Sequence, residues 1–125
     1  MILGLGIDLI EVARIEQALA RFGPRFLERI LCENELTYCQ SQTAPAKSVA
    51  SRFAAKEAVA KAFGTGIGAE LGWKDIEVVR LASGQPVVEM RGAAFELLKS
   101  RGGRKIQLSL THTAVHAAAV AVIEG

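Results

Sequence analysis

The stretch Ser51-Arg-Phe-Ala-Ala-Lys-Glu-Ala-Val-Ala-Lys-Ala-Phe-Gly-Thr-Gly66 organises the chain. It is rich in alanine, contains no proline and reaches its first glycine only at Gly64, so it reads as a helix with a glycine C-cap. At about 100° per residue, Val49, Phe53, Val59, Ala60 and Phe63 share one broad arc, with Glu57 and Lys61, four apart, along its edge. Arg52 and Lys56, also four apart, fall inside that arc. A cation on an apolar face is costly to bury without a partner. Spacing alone leaves two readings open: both side chains snorkel to water from the edge of the core, or the helix lines a site for an anion.

Around this helix the chain has the balance of a folded protein. Its 125 residues are 50% apolar and 22% charged, enough for one domain (1–125) with a real core. A net charge of +2 and an aromatic content of 6% argue against a nucleic-acid partner, which needs basic and stacking surface. No segment approaches the length of a membrane span, and the start Met-Ile-Leu-Gly-Leu-Gly-Ile-Asp lacks the basic n-region of a signal peptide. The expectation is a cytoplasmic protein with no membrane partner. Cys32 and Cys39 fall seven apart on one expected helix, a spacing unsuited to a disulfide, and read as reduced, partly buried thiols.

Ile2 to Ile10 is an apolar run short enough for a buried strand. Alternation puts Leu3, Leu5, Ile7 and Leu9 on one face, and Gly4, Gly6, Asp8 and Ile10 on the other. Asp8 requires a partner there: a cation, a helix N-terminus or a metal. Its alternative role is an N-cap-like tie for the next segment. Gly4-Leu-Gly6 is not a dinucleotide fingerprint, because Leu9 stands where a third glycine is needed. Val12–Phe22 has helical periodicity and ends at Gly23-Pro24, a second helix covers Arg25–Leu31, and a third covers Glu33–Gln40. Arg14, Arg21, Arg25 and Arg29 form either a basic surface for an acidic partner or an ordinary solvated face. Gly64-Thr-Gly-Ile-Gly68 is glycine-rich but lacks the Lys-Ser/Thr ending of a P-loop.

Trp73–Leu81 alternates as a strand and forms a hairpin with Pro86–Met90. A helix over Ala93–Ser100 follows, then a second hairpin of Lys105–Thr111 and His116–Ile123. In that hairpin His112 shares a face with Ile106, Leu108 and Leu110, while Ser109 and Thr111 face the other way. This order predicts an α+β fold, with helices packed on a small antiparallel sheet.

Five segments resemble one family. Gly6-Ile-Asp-Leu-Ile-Glu-Val-Ala-Arg-Ile15, Phe26-Leu-Glu-Arg-Ile-Leu-Cys-Glu-Asn-Glu35, Arg52-Phe-Ala-Ala-Lys-Glu-Ala-Val-Ala-Lys-Ala-Phe-Gly64, Trp73-Lys-Asp-Ile-Glu-Val78 and Leu108-Ser-Leu-Thr-His112 follow in the order found in the holo-[acyl-carrier-protein] synthases, small bacterial phosphopantetheinyl transferases. Thr111 and His116 depart from the residues most frequent there, serine and an aromatic. The resemblance implies the phosphopantetheinyl transferase fold. It also implies transfer of the 4′-phosphopantetheine arm from coenzyme A to a serine of apo acyl carrier protein, with adenosine 3′,5′-bisphosphate released.

By the same resemblance, Asp8 and Glu57 hold Mg²⁺, a cation that prefers a few carboxylates plus phosphate oxygens and waters. Lys61 stabilises the leaving phosphate, and either Glu57 or a water on the metal takes the serine proton. Arg52, Lys61, Gly64, Ser109 and His112 are expected to bind coenzyme A in a cleft between subunits of a homotrimer, with Lys56 as a possible neighbour. Carrier proteins of this kind are acidic, so Arg14, Arg21 and Arg25 become expected docking residues. Two rival classes are a non-catalytic coenzyme A-binding protein, which leaves both carboxylates without a purpose, and a two-metal phosphohydrolase, for which the chain lacks a dense Asp/His cluster.

Overall fold

The computed structural model describes residues 1–125. The elements in order are β1 (Ile2–Glu11), α1 (Val12–Phe22), α2 (Pro24–Ile30), α3 (Glu33–Gln40), α4 (Pro45–Phe63), a 3₁₀ turn (Trp73–Asp75), β2 (Ile76–Arg80), β3 (Pro86–Met90), α5 (Gly92–Ser100), β4 (Lys105–His112) and β5 (His116–Glu124). They form the expected α+β fold, with two antiparallel sheets: β1-β5-β4 and the hairpin β2-β3.

Small residues decide where α4 sits. Gly4, Gly6, Asp8 and Ile10 pair in register with Ile123, Ala121, Ala119 and Ala117 of β5, giving one sheet face of mostly tiny side chains. Helix α4 lies across that face, bringing its own buried Ala54, Ala58 and Ala62. The approach is so close that a Cβ on Gly4 would stand 2.1 Å from the Ala62 carbonyl oxygen, and one on Gly6 1.9 Å from that of Ala58. Gly64 ends α4 in the left-handed region at φ 77°, where an L side chain is strained.

The consequence is a helix enclosed almost all round. From Val49 to Phe63 every residue is buried except Phe53, Glu57 and Lys61. These three are four apart in succession, so they form one stripe along α4, the only part of its second half open to a ligand.

Four expectations change. First, β1 is not buried on both faces: Leu5, Ile7 and Leu9 remain 66%, 63% and 66% exposed in the protomer. Second, Trp73–Asp75 forms a 3₁₀ turn and the strand begins only at Ile76, because the Asp75 carboxylate accepts from the Gly72 N–H and closes the turn. Third, Cys32 precedes α3 as its N-cap residue and does not share a helix with Cys39, although both are buried free thiols. Burial pushes the Cys32 thiol up to about 11, so it stays protonated and unreactive at neutral pH.

The fourth concerns Lys56, which neither snorkels nor faces an anion site. It is 0% exposed and donates to Glu35 Oε1 at 2.6 Å, the Ile30 carbonyl at 2.6 Å and the Trp73 carbonyl at 3.0 Å. A buried ammonium is tolerated when all of its protons are matched, and here they are.

Candidate active site

Strand β1 and helix α4 bring together residues far apart in the chain. Lys61 Nζ stands 3.1 Å from Asp8 Oδ1 and donates to the Ile7 carbonyl at 3.1 Å. Asp8 thus has the cationic partner its strand position demands. Glu57, one turn before Lys61, lines a cleft with Asp8, Arg14 and Phe53. Burial pushes the Glu57 carboxyl above its usual range, the nearby Asp8 charge adds to that shift, and Lys61 opposes it.

Two carboxylates facing one cleft, with the Asp8 charge disfavouring ionisation of Glu57, form a site that a cation would relieve. Their donors are oxygen only, which suits a hard cation such as Mg²⁺. Nowhere in the fold does a group of three or more His, Cys, Asp or Glu gather into a metal site. A cation held by Asp8 and Glu57 alone would therefore have most of its coordination sphere left for substrate oxygens and water, as Mg²⁺ prefers.

The arginines extend this cleft into a groove. Phe26 and Phe53 line the Asp8–Glu57 cleft and also a second hollow bounded by Arg21, Phe22, Arg25, Arg29 and Trp73. Phe53 stacks on Trp73 at 4.8 Å between ring centroids, and Phe22 remains 54% exposed. The expected docking residues Arg14, Arg21 and Arg25 thus border a groove of two adjoining hollows that share Phe26 and Phe53, the inner one lined by the carboxylates. Sequence reading did not single out its floor of Phe22, Phe26 and Trp73, because only the packing of α1, α2 and the 3₁₀ turn leaves them partly open.

The residues expected to bind coenzyme A do not all meet within one protomer. Arg52 lies about 140° around α4 from Glu57 at ~100° per residue, on the helix flank away from the Asp8 cleft. There it lines a separate hollow with Tyr38, Lys47, Arg80 and His112, in which no acidic side chain appears. Its guanidinium stacks on the Tyr38 ring at 4.3 Å, and its buried Nε has no hydrogen-bond partner. On this flank its neighbours Lys47, Arg80 and His112 could receive an anion, while Tyr38, Arg52 and Arg80 also border an adjoining hollow lined by Glu77 and Glu89. Lys47, Tyr38 and Arg80 were not singled out in the sequence; their convergence depends on α3, α4 and β2 meeting. Gly64 closes α4 just past Lys61 and is exposed, with open space about its Cα. Ser109 pairs with Val120, which pairs with Ile7, and so lies on the opposite sheet face from His112.

A family model described as the 4′-phosphopantetheinyl transferase superfamily matches residues 4–121. The chain is 46% identical over 124 residues to the holo-[acyl-carrier-protein] synthase of Koribacter versatilis, covering 99% of each chain. It is 50% identical over 121 residues to that of Chlamydia trachomatis, covering 97% of this chain and 98% of the relative. The crystal structure of the Neisseria meningitidis holo-[acyl-carrier-protein] synthase superposes with a TM-score of 0.94 at 34% identity, covering 100% of both chains. The Helicobacter pylori enzyme in complex with coenzyme A superposes with a TM-score of 0.86 at 34% identity, covering 96% of this chain and 99% of its own. With the glycine–aspartate strand, the Glu57–Lys61 helix and their order all in place, the chain belongs to the 4′-phosphopantetheinyl transferase superfamily, among its holo-[acyl-carrier-protein] synthases.

Proposed function

We propose that this protein moves the 4′-phosphopantetheine arm of coenzyme A onto a serine hydroxyl of apo acyl carrier protein, releasing adenosine 3′,5′-bisphosphate. The observation that carries this reading is the junction of Asp8, Glu57 and Lys61 with an arginine-bordered groove. A diphosphate can be activated at one end and an acidic protein seated at the other. Asp8 and Glu57 would hold Mg²⁺, which when bound supplies positive charge to the diphosphate and lowers the barrier to attack.

The chain's own side chains do the rest. Glu57, or a water beside it, accepts the serine proton as the serine oxygen–phosphorus bond forms. The bond from that phosphorus to the bridging oxygen breaks, and Lys61 offsets charge on the departing phosphate. Arg52 and His112, with Gly64 and Ser109, are the groups assigned to the nucleotide. Arg14, Arg21 and Arg25, joined by Arg29, steer the acidic carrier protein into the groove.

The same reading requires more than one copy. Leu3, Leu5, Ile7 and Leu9 make an exposed apolar row on β1, of the kind that marks an interaction surface. It continues through Val122 and Val120 of β5. We assign this face to homotrimer contacts. A neighbouring copy would bring its Arg52–His112 hollow to the Asp8–Glu57–Lys61 cleft and make the divided nucleotide site whole. The working compartment is the cytoplasm.

Intact-mass spectrometry of apo acyl carrier protein incubated with this protein, coenzyme A and Mg²⁺ tests the proposal. The expected result is the gain of one phosphopantetheine arm, abolished by chelator. No gain with several carrier proteins, while coenzyme A still binds, would leave a binding module.

A further inference from the structure

Glu35 and Lys56 stand outside the Asp8–Glu57 cleft, yet both are closed off from water, at 1% and 0% exposure. Every oxygen and proton of the pair is used. The Lys56 ammonium donates to Glu35, to the carbonyl of Ile30 and to the carbonyl of Trp73. Glu35 Oε1 also accepts from the Cys32 N–H at 2.7 Å, and Oε2 accepts from the Val78 N–H at 2.9 Å. One ion pair thus ties α4 to the last residue of α2, the start of α3, the 3₁₀ turn and β2.

Hydrophobic stability alone is a poor explanation for this arrangement, since well-packed apolar residues often replace buried ion pairs without loss. What apolar residues cannot reproduce is three directed bonds from one atom to three separate elements. Two of those elements are walls of the arginine groove: Ile30 and Trp73 both line it, and α2 carries Arg25 and Arg29. Helix α2 otherwise rests on the apolar contacts of Phe26, Leu27 and Ile30 with the core, which fix its position less directionally than a hydrogen bond does. It is 7 residues long, follows Gly23 and has no side-chain N-cap, so it is too short to hold its shape without tertiary support. Lys56 also places a cation at its C-terminal carbonyls, where the helix dipole favours one.

We infer that Lys56 and Glu35 are positioning residues for the carrier-protein substrate: their buried pair holds α2 and the Trp73 turn against α4, so that the arginine groove opens in line with Asp8 and Glu57. This rests on the transferase reading above. Neither residue touches substrate; both act through Ile30, Trp73 and α2.

The test is a substrate-specific split in Lys56→Met and Glu35→Gln, each studied below its own melting temperature. The expected result is a KM for apo acyl carrier protein raised about fivefold or more, with the Kd for coenzyme A by calorimetry unchanged. Faster hydrogen exchange at the amides of Leu27 to Leu31, beyond that of β1 and β5, should accompany it. Glu35→Gln keeps the size and one acceptor oxygen, and it carries the test if Lys56→Met does not fold. A folded variant with lower Tm but wild-type carrier KM and uniform exchange would make the pair merely structural and overturn the inference. So would equal losses for coenzyme A and carrier protein. Absence of transfer by the wild-type protein would instead refute the transferase reading, and the exchange pattern at α2 would still decide whether the pair positions that helix.

Discussion

Replacing Gly6 by alanine tests how the active site is assembled, with a single methyl group. A Cβ at this position would stand 1.9 Å from the Ala58 carbonyl oxygen and 2.7 Å from the Ala62 nitrogen, and ordinary contact begins at 3.4 Å. Both neighbours are backbone atoms of α4, so no side chain can swing aside. Strand and helix must separate by about 1.5 Å to restore contact from 1.9 to 3.4 Å. That displacement acts directly on the Lys61–Asp8 bond, now 3.1 Å. Overpacking of this kind costs about 1–3 kcal/mol, and at about 4 °C per kcal/mol for a chain of this length Tm should fall by roughly 4–12 °C. Turnover should fall further than stability, since a shift of ~1 Å in catalytic geometry costs about 100-fold. Scanning calorimetry and the intact-mass assay, run at a temperature where both proteins are folded, measure the two effects. Gly68→Ala is the control, because its Cβ would meet nothing within 4 Å and its φ is not positive. A Gly6→Ala protein with wild-type Tm and turnover would refute the claim that the β1–α4 approach sets the site.

Four further outcomes follow from the site. Burial and Asp8 raise the Glu57 carboxyl above its usual range, so ionising it costs the metal-free fold stability. That cost is absent below its unfolded pKa of about 4.3 and complete above its folded value. Glu57→Gln should therefore raise Tm at pH 7 in chelator and lose this gain toward pH 4; an equal gain at both pH values contradicts the assignment. Lys61→Met should lower kcat about 100-fold or more while the Kd for coenzyme A changes much less, and a change confined to Kd argues for a binding role instead. Arg21→Glu with Arg25→Glu should raise the carrier-protein KM about tenfold, and the wild-type carrier KM should climb with salt more steeply than that of coenzyme A; parallel salt effects count against the docking face. Ile7→Glu should convert the proposed trimer to monomer by light scattering and abolish turnover, whereas an active monomer would show that one protomer suffices.

Much of this architecture is legible in the chain. Alanine density and the absence of early glycine define α4, and Gly64 ends it where expected. Strict alternation in β1 puts Asp8 on the glycine face, and the four-residue step from Glu57 to Lys61 places both on one stripe. What failed has a common cause. The exposed Leu5–Leu9 row reads as core because sequence carries hydrophobicity but not the identity of the covering layer. The Trp73 turn reads as a strand because its closure depends on one Asp75–Gly72 bond.

The lysines of α4 mark the boundary between the two kinds of information. By itself, the sequence determined that Lys56 falls within the apolar arc of α4 and Lys61 at its edge, and it left the partner of each open. Only the tertiary structure decided which. Lys56 finds Glu35, 21 residues away, in a dry interior, and Lys61 finds Asp8, 53 residues away, at a cleft still open to ligand. The physical reason is that a charge takes its role from the field and solvent around it. Those are set by which distant elements the glycine and alanine faces allow to close.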